Sequence, residues 1–314
     1  MRSNNKKLEG INILVIKHGA LGDFILSTGP FKAIRQHHRK AKITLLTTSS
    51  FLELGNECGW FDNVLLDTKP KLWNLRGVTE LRKTLIKQNF FRVYDLQTSL
   101  RSSIYYRLLQ NPKPEWSGIA SGCSHPHTNP FRDNMHTLER QAEQLKLAGI
   151  LEVSETDISW LNSSLKKFCL PSKYALLVSG GAAHRSKKRW PASSFSEFAK
   201  LLVSHGIVPV LIGSSSEEKT IDFIQKRCPE AVNLCGNTKI SDIAALARDA
   251  VGALGNDTGP MHIIAAAKCP SLVLFSKESN PSITAPCFDS VKILQKNDLR
   301  QLTVSDVQKE FINL

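Results

Sequence analysis

The chain has 314 residues, 41% of them hydrophobic and 22% charged, and carries a formal net charge of +13. That length predicts two domains of about 150 residues each, and the balance of apolar and charged residues excludes a disordered or fibrous chain. The charge is concentrated in the first half, where residues 1–150 hold 22 Lys and Arg against 12 Asp and Glu; such a half suits an anionic membrane face or an acidic substrate, and without a nucleic-acid-binding motif no nucleic acid is expected.

Met1 to Lys7 followed by Ile11 to Ile16 has the outline of a signal peptide. Lys17 and Asp23 interrupt its apolar run, however, and no small-residue cleavage site follows. No stretch approaches the roughly 18 apolar residues of a spanning helix, so a cytoplasmic protein is expected. The seven cysteines are scattered with no Cys-x-x-Cys pair, which predicts neither a zinc site nor a disulfide framework.

In chain order, Ile11 to Lys17 reads as a continuous apolar strand that runs into His18-Gly-Ala-Leu-Gly22-Asp23. Gly19 and Gly22 are too few for a dinucleotide fingerprint. Asp23 starts the next helix at the carboxyl end of this strand, where it either complements the helix dipole or faces a ligand. Gly29-Pro30 restarts that helix, which ends in the basic cluster around Arg35 to Lys40. Strands follow at Lys42 to Thr48 and Asn63 to Asp67, with a helix near Phe51 to Cys58 between them. A further helix is expected over Val78 to Gln88 and a strand over Arg92 to Gln97. Arg101 lies just beyond that strand, either facing an acceptor or merely opening the next helix. Asn111 to Asn134, rich in Pro, Ser, Gly and His, is expected to be a mobile loop around a short strand. The helix Met135 to Ala148 closes the half, and the boundary is placed at 160/161.

The second half restarts the alternation at Tyr174 to Ser179. A glycine-led loop follows, through Gly181 to Lys188-Arg-Trp-Pro191, and its backbone N–H groups and cations suit a phosphate. After the strand Ile207 to Ile212, Ser214 to Ser216 cap a helix, and Glu217 or Glu218 either completes the cap or accepts from ribose hydroxyls. Helix Ile240 to Asp249 leads to Gly255-Asn-Asp257-Thr258-Gly259-Pro260-Met-His262. Pro260 suits the first helical position, with Thr258 or Gly259 as cap, so the first turn offers unpaired N–H groups and the dipole to an anion. Asp257 beside such an anion site repels the anion unless it has another task, such as holding a sugar hydroxyl. Strands at Ser271 to Phe275 and Val291 to Leu294 precede a last helix, Val304 to Leu314, expected to cross back to the first half.

Two α/β domains facing across a cleft, with an acid in one and anion-binding turns in the other, suit transfer from a nucleotide-activated donor. Lys17-His-Gly-Ala-Leu-Gly-Asp23, Lys188-Arg-Trp-Pro191 and Asp257-Thr-Gly-Pro-Met-His262 together resemble the heptosyltransferases of glycosyltransferase family 9, in order and spacing along nearly the whole chain. The resemblance implies a GT-B fold, with an acceptor domain over 1–160 and a nucleotide-sugar domain over 161–314. It implies Asp23 as general base, with Gly22 and Arg101 on the acceptor side, and Lys188 neutralising the leaving diphosphate. Gly181, Thr258, Gly259 and His262 would serve the donor, Asp257 the donor sugar and Glu217 or Glu218 the ribose. Inverting transfer without metal or cofactor is implied, from an ADP-heptose donor to an anionic lipopolysaccharide-core acceptor, by an enzyme peripheral to the inner face of the inner membrane. Ala183 and His184 depart from the family's hydroxyl pair, which leaves another nucleotide-sugar donor open. Outside that resemblance stand a non-catalytic module binding anionic glycolipid and a nucleotide-sugar epimerase of the same architecture.

Overall fold

The computed structural model describes residues 10–109, 111–181 and 186–314. The chain divides into two compact units, Met1–Trp160 and Leu161–Leu314. Ala183, His184 and the basic N-terminal residues before Gly10 lie outside the described residues.

The first unit runs β1 (Asn12–Ile16), α1 (Leu21–Leu26), α2 (Thr28–His37), β2 (Lys42–Thr47), α3 (Leu52–Glu57), β3 (Asn63–Leu66), α4 (Leu75–Lys87), β4 (Phe90–Asp95), α5 (Leu100–Leu108), β5 (Glu115–Gly118), β6 (His125–Pro126) and α6 (Thr137–Leu147). Its six strands pair in parallel in the order β3-β2-β1-β4-β5-β6. Both faces are covered by helices, which is why β1 and β2 read as apolar runs rather than alternating ones. The Asn111 to Asn134 segment contains the expected short strand, β5, with a second, β6, beside it in the sheet, and Trp116 on β5 is fully buried against Tyr106 of α5.

Residues 154–160 return over α2. Thr28 Oγ1 accepts from the Asp157 N–H at 3.0 Å, and Lys32 pairs with the Asp157 carboxylate at 2.7 Å. Gly29 makes this approach possible, because a Cβ there would sit 2.1 Å from the Ser154 carbonyl oxygen.

The second unit runs β7 (Tyr174–Val178), α7 (Ala192–Ser204), β8 (Val208–Leu211), α8 (Glu218–Arg227), β9 (Val232–Asn233), α9 (Ile240–Asp249), β10 (Gly252–Asn256), α10 (Gly259–Ala266), β11 (Ser271–Ser276), α11 (Pro281–Thr284), β12 (Val291–Lys296) and α12 (Val304–Ile312). Its sheet, also parallel, has the order β12-β11-β10-β7-β8-β9. Numbered within its own unit, each sheet therefore has the strand order 3-2-1-4-5-6. This places a topological switch between β1 and β4 in one unit and between β7 and β10 in the other. Ligands of doubly wound sheets bind outside the carboxyl ends of such strand pairs.

The final helix does not follow the expectation of a return to the first half. Val307 of α12 is fully buried in the second unit's core, with Phe198, Leu254 and Leu272, and Phe311 packs edge-on against Phe198.

Candidate active site

In the second unit the loops after β7 and β10 meet at the switch point, around a cavity of about 710 Å³. Asn256, fully buried at the end of β10, joins them. Its Nδ2 donates to the carbonyls of Ser179 (3.1 Å) and Gly180 (2.8 Å), and its Oδ1 accepts from the Trp190 N–H (3.0 Å). One amide thus satisfies three backbone groups that the loops would otherwise leave unpaired.

Gly181 follows with φ +154°, and a Cβ there would meet Arg189 Cγ at 3.3 Å. Gly255 packs as closely, since a Cβ there would lie 2.5 Å from Met261 Sδ and 2.8 Å from Val178 Cβ. The strand consequently lies tight against the helix that follows it.

Lys188 Nζ lies 2.8 Å from Asp257 Oδ2, and each of these side chains is 13% exposed. Ser279, beyond β11, donates its hydroxyl to the same carboxylate oxygen at 2.7 Å. Thr258 caps α10, with its hydroxyl turned to the Asn256 carbonyl at 3.1 Å; Gly259 takes the first helical position and Pro260 the second. The Asp257 N–H is used by Leu274 and the Met261 N–H by Thr258. Pro260 has no N–H, so among the described residues the N–H groups of Thr258 and Gly259, both in the cavity wall, remain for an anion at the helix start. The repulsion expected of Asp257 is offset by Lys188 and Ser279.

Opposite these groups stands Glu217. Its Oε2 accepts from the Ser214 N–H (3.0 Å) and hydroxyl (2.7 Å), and its Oε1 from the Ser216 hydroxyl (2.6 Å). Burial pushes this carboxyl up, but the hydrogen bonds from Ser216 and Ser214 outweigh it and hold the group below the usual carboxylate range. The cap reading of the serine run therefore holds, and Glu217 still lines the cavity. Neither Glu218, which is exposed, nor His262, which is buried in α10, is among the described wall residues. Val178, Ile212 and Ile243 form an apolar part of the wall that sequence patterning does not distinguish from ordinary core.

In the first unit Asp23 occupies the third position of α1, with Gly22 buried beside it. Among the described residues its carboxylate accepts one hydrogen bond, from the Ala20 N–H at 3.2 Å, and it remains half-buried with acceptor capacity to spare. Lys17, buried at the end of β1, donates to the Leu96 carbonyl at 3.3 Å. Burial drives its ammonium down to about 8, against the pull of Asp23 and Asp95 and with the push of Arg140 and Arg132. Asp95, buried at the end of β4, is raised by burial to about 6, despite hydrogen bonds from the Thr98 N–H, Ser102 and the Gln97 N–H. The loop after β1 is fixed from its other side as well. His18 Nε2 lies 2.9 Å from the buried Asp67 carboxylate, which also accepts from the Tyr105 hydroxyl at 2.5 Å. Arg101, in the first turn of α5, donates to the Pro70 carbonyl at 3.1 Å and so anchors the 67–74 loop.

Sequence reasoning missed Asn256 and Ser279 as organisers of one site, and Lys17 and Asp67 as supports of the other. Lys17 was detectable, as a lysine directly after the apolar run Ile13 to Ile16. Among the described residues no group of three or more His, Cys, Asp or Glu side chains has the arrangement of a metal site. None of the described helices is long and apolar enough to cross a membrane.

Residues 78–311 match the family model described as glycosyltransferase family 9 (heptosyltransferase). The chain is 29% identical over 329 residues to lipopolysaccharide heptosyltransferase 2 of Escherichia coli, covering 91% of this chain and 88% of the relative. It is 30% identical over 135 residues to lipooligosaccharide heptosyltransferase 2 of Haemophilus influenzae, a match spanning 41% of this chain and 39% of that one. Its fold superposes on the solved structure of the E. coli ADP-heptose lipopolysaccharide heptosyltransferase II with a TM-score of 0.77, at 19% identity and over 96% of this chain and 98% of that one. The architecture of two Rossmann-like units is thus of the GT-B type.

Proposed function

This chain belongs to glycosyltransferase family 9 and is a glycosyltransferase, and from that premise we propose that it transfers heptose from ADP-heptose to the inner core of lipopolysaccharide, inverting the sugar carbon without a metal ion. The observation that carries the donor side is the convergence, in one cavity, of Lys188, the two unspent N–H groups at the start of α10 and an apolar wall. A diphosphate would lie against the N–H groups of Thr258 and Gly259 with Lys188 as its counter-cation, and the base against Val178, Ile212 and Ile243. Glu217 is placed to exchange a serine hydroxyl for those of the ribose. Asp257, released from Lys188 as that cation turns to the phosphates, would accept from the donor sugar hydroxyls while Ser279 keeps its orientation.

On the acceptor side Asp23 takes the proton of the attacking hydroxyl. The acceptor oxygen forms its bond to the anomeric carbon as the bond from that carbon to the β-phosphate oxygen breaks. The electron pair leaves with ADP, whose charge Lys188 and the helix start stabilise. Lys17 places a buried cation within electrostatic reach of Asp23, where it would offset the negative charge of the proposed base.

Calorimetric titration with ADP, ADP-heptose, UDP and UDP-sugars in the presence of a chelator tests this reading. Preferential binding of ADP-heptose without metal is expected. Preference for another nucleotide sugar would change the donor and keep the reaction class, and absence of binding by every one would overturn the donor-site assignment.

A further inference from the structure

Outside both sites, the segment joining β3 to α4 carries three large apolar side chains that the fold leaves outside its core: Leu72 is 52% exposed, Trp73 78% and Leu75 74%. Scattered exposed leucines are ordinary, but three within four residues, one of them tryptophan, form a local patch. The segment is held by its backbone. The Lys69 N–H donates to Asp67 Oδ1 (2.8 Å), the Asn74 N–H to the Lys71 carbonyl (2.8 Å), the Gly77 N–H to the Asn74 side chain (3.1 Å) and Arg101 to the Pro70 carbonyl. The following helix faces its own core with Leu81 and Leu85, so Leu75 at its start points elsewhere. Arg101 ties the segment to the start of α5, where Leu100 is 80% exposed.

The rim of the patch is cationic. Lys69 and Lys71 flank the apolar residues, Lys71 Nζ stands 5.2 Å from the centre of the Trp73 ring, and no acidic residue lies between the buried Asp67 and Glu80, which pairs with Arg76 at 3.2 Å. An indole and leucines on a pinned loop, flanked by lysines, match the boundary between anionic headgroups and acyl chains, where tryptophan concentrates and each nearby cation adds attraction. A protein partner would need acidic residues around an apolar socket, whereas an anionic bilayer supplies both features at once.

We propose that the Leu72-Trp73-Leu75 loop docks this protein on an anionic lipid surface, with Lys69 and Lys71 on the headgroups. The purpose of such docking rests on the proposed reading that the acceptor is a membrane-held glycolipid. Asp67, which fixes the start of the loop, also holds His18, in the segment that leads from β1 to the proposed base Asp23.

The test is co-sedimentation of the full chain with phosphatidylethanolamine vesicles with and without phosphatidylglycerol, at low and high salt. It is run beside titration with ADP-heptose and transfer to a lipid-free core oligosaccharide. The expected result is salt-sensitive binding to the phosphatidylglycerol vesicles. The triple variant Leu72→Ser, Trp73→Ser, Leu75→Ser should bind about tenfold or more weakly, with the same melting temperature, donor affinity and transfer to the lipid-free acceptor. A second variant, Lys69→Gln with Lys71→Gln, should lose most of the salt dependence. Failure of the wild type to bind these vesicles, or equal binding by the triple variant, overturns the docking. Vesicle binding that behaves as expected in a protein with no ADP-heptose binding supports the docking and overturns the donor reading instead.

Discussion

Lys188 and Asp257 are held to each other at 2.8 Å in the wall of the second unit's cavity, and Ser279 donates to the same carboxylate oxygen. In the proposed reading, the cation for the leaving group and the acid for the sugar neutralise one another before any donor is bound. Replacing Lys188 with Met leaves the acid beside the phosphates without its counter-charge. Transfer should fall by about 10²–10³ in kcat, the range for loss of one preorganised group stabilising developing charge, and ADP-heptose should bind more weakly. Steady-state kinetics with a calorimetric Kd checks both.

Ser279→Ala separates orientation from charge. The carboxylate keeps Lys188 and loses one hydroxyl, which is worth about 1.5–3 kcal/mol at a charged acceptor. The expected outcome is a weaker grip on ADP-heptose with little change for ADP, which lacks the sugar that Asp257 is proposed to hold. Equal weakening for both ligands would show that the hydroxyl serves the phosphate region instead.

Asp23→Asn should keep the helix start, since the side chain still offers an oxygen to the Ala20 N–H, and should remove the base. A loss of about 10²–10⁴ in turnover is expected, with a thermal midpoint close to that of the wild type. Nucleotide affinity should be unchanged, because every wall residue of the donor cavity lies in the second unit.

The Asn256→Ala substitution carries no chemical step and should still be costly. It strands the Trp190 N–H and the Ser179 and Gly180 carbonyls in a buried site, a loss of about 2–4 kcal/mol. Denaturant titration should report it, with donor affinity falling in parallel as the two loops lose their common support.

Lys17 predicts a pH signature. Its folded pKa, about 8, lies below the ordinary 10.5, so between those values the unfolded chain binds more protons than the folded one. Stability should therefore rise with pH across that window, and below it the folded state bears the full penalty, on the order of 3 kcal/mol. Lys17→Met should raise stability at neutral pH, flatten the alkaline rise in a denaturation series and lower kcat, because Asp23 loses its neighbouring cation.

Much of this was legible in the sequence. A parallel α/β strand buried on both faces is largely apolar and ends at a sharp polar turn, so β1, β7 and β10 and the loops after them could be read from Ile11 to Asp23, Tyr174 to Lys188 and Asp249 to Gly259. Convergence was harder. Asn256 acts on a carbonyl 77 positions away and Ser279 on a carboxylate 22 positions away, and such pairings depend on which strands are neighbours, a property no local periodicity encodes. In Asn111 to Asn134 the expected short strand is present, but its depth in the sheet and its partner β6 were not legible, for a similar reason. The segment's Pro, Gly and Ser residues lower strand propensity, and burial of Trp116 with pairing at the edge of β4 overrides it.

The repeated strand order has an evolutionary corollary. Each unit has its own topological switch point, and the described wall of the second unit's cavity runs from Val178 to Pro260. If the first unit holds the acceptor, as proposed, mutations that drift through the loops of the first 160 residues would retune which glycan is glycosylated without renegotiating the grip on the sugar nucleotide. A lineage carrying this chain would then be free to remodel its glycans one recognition loop at a time.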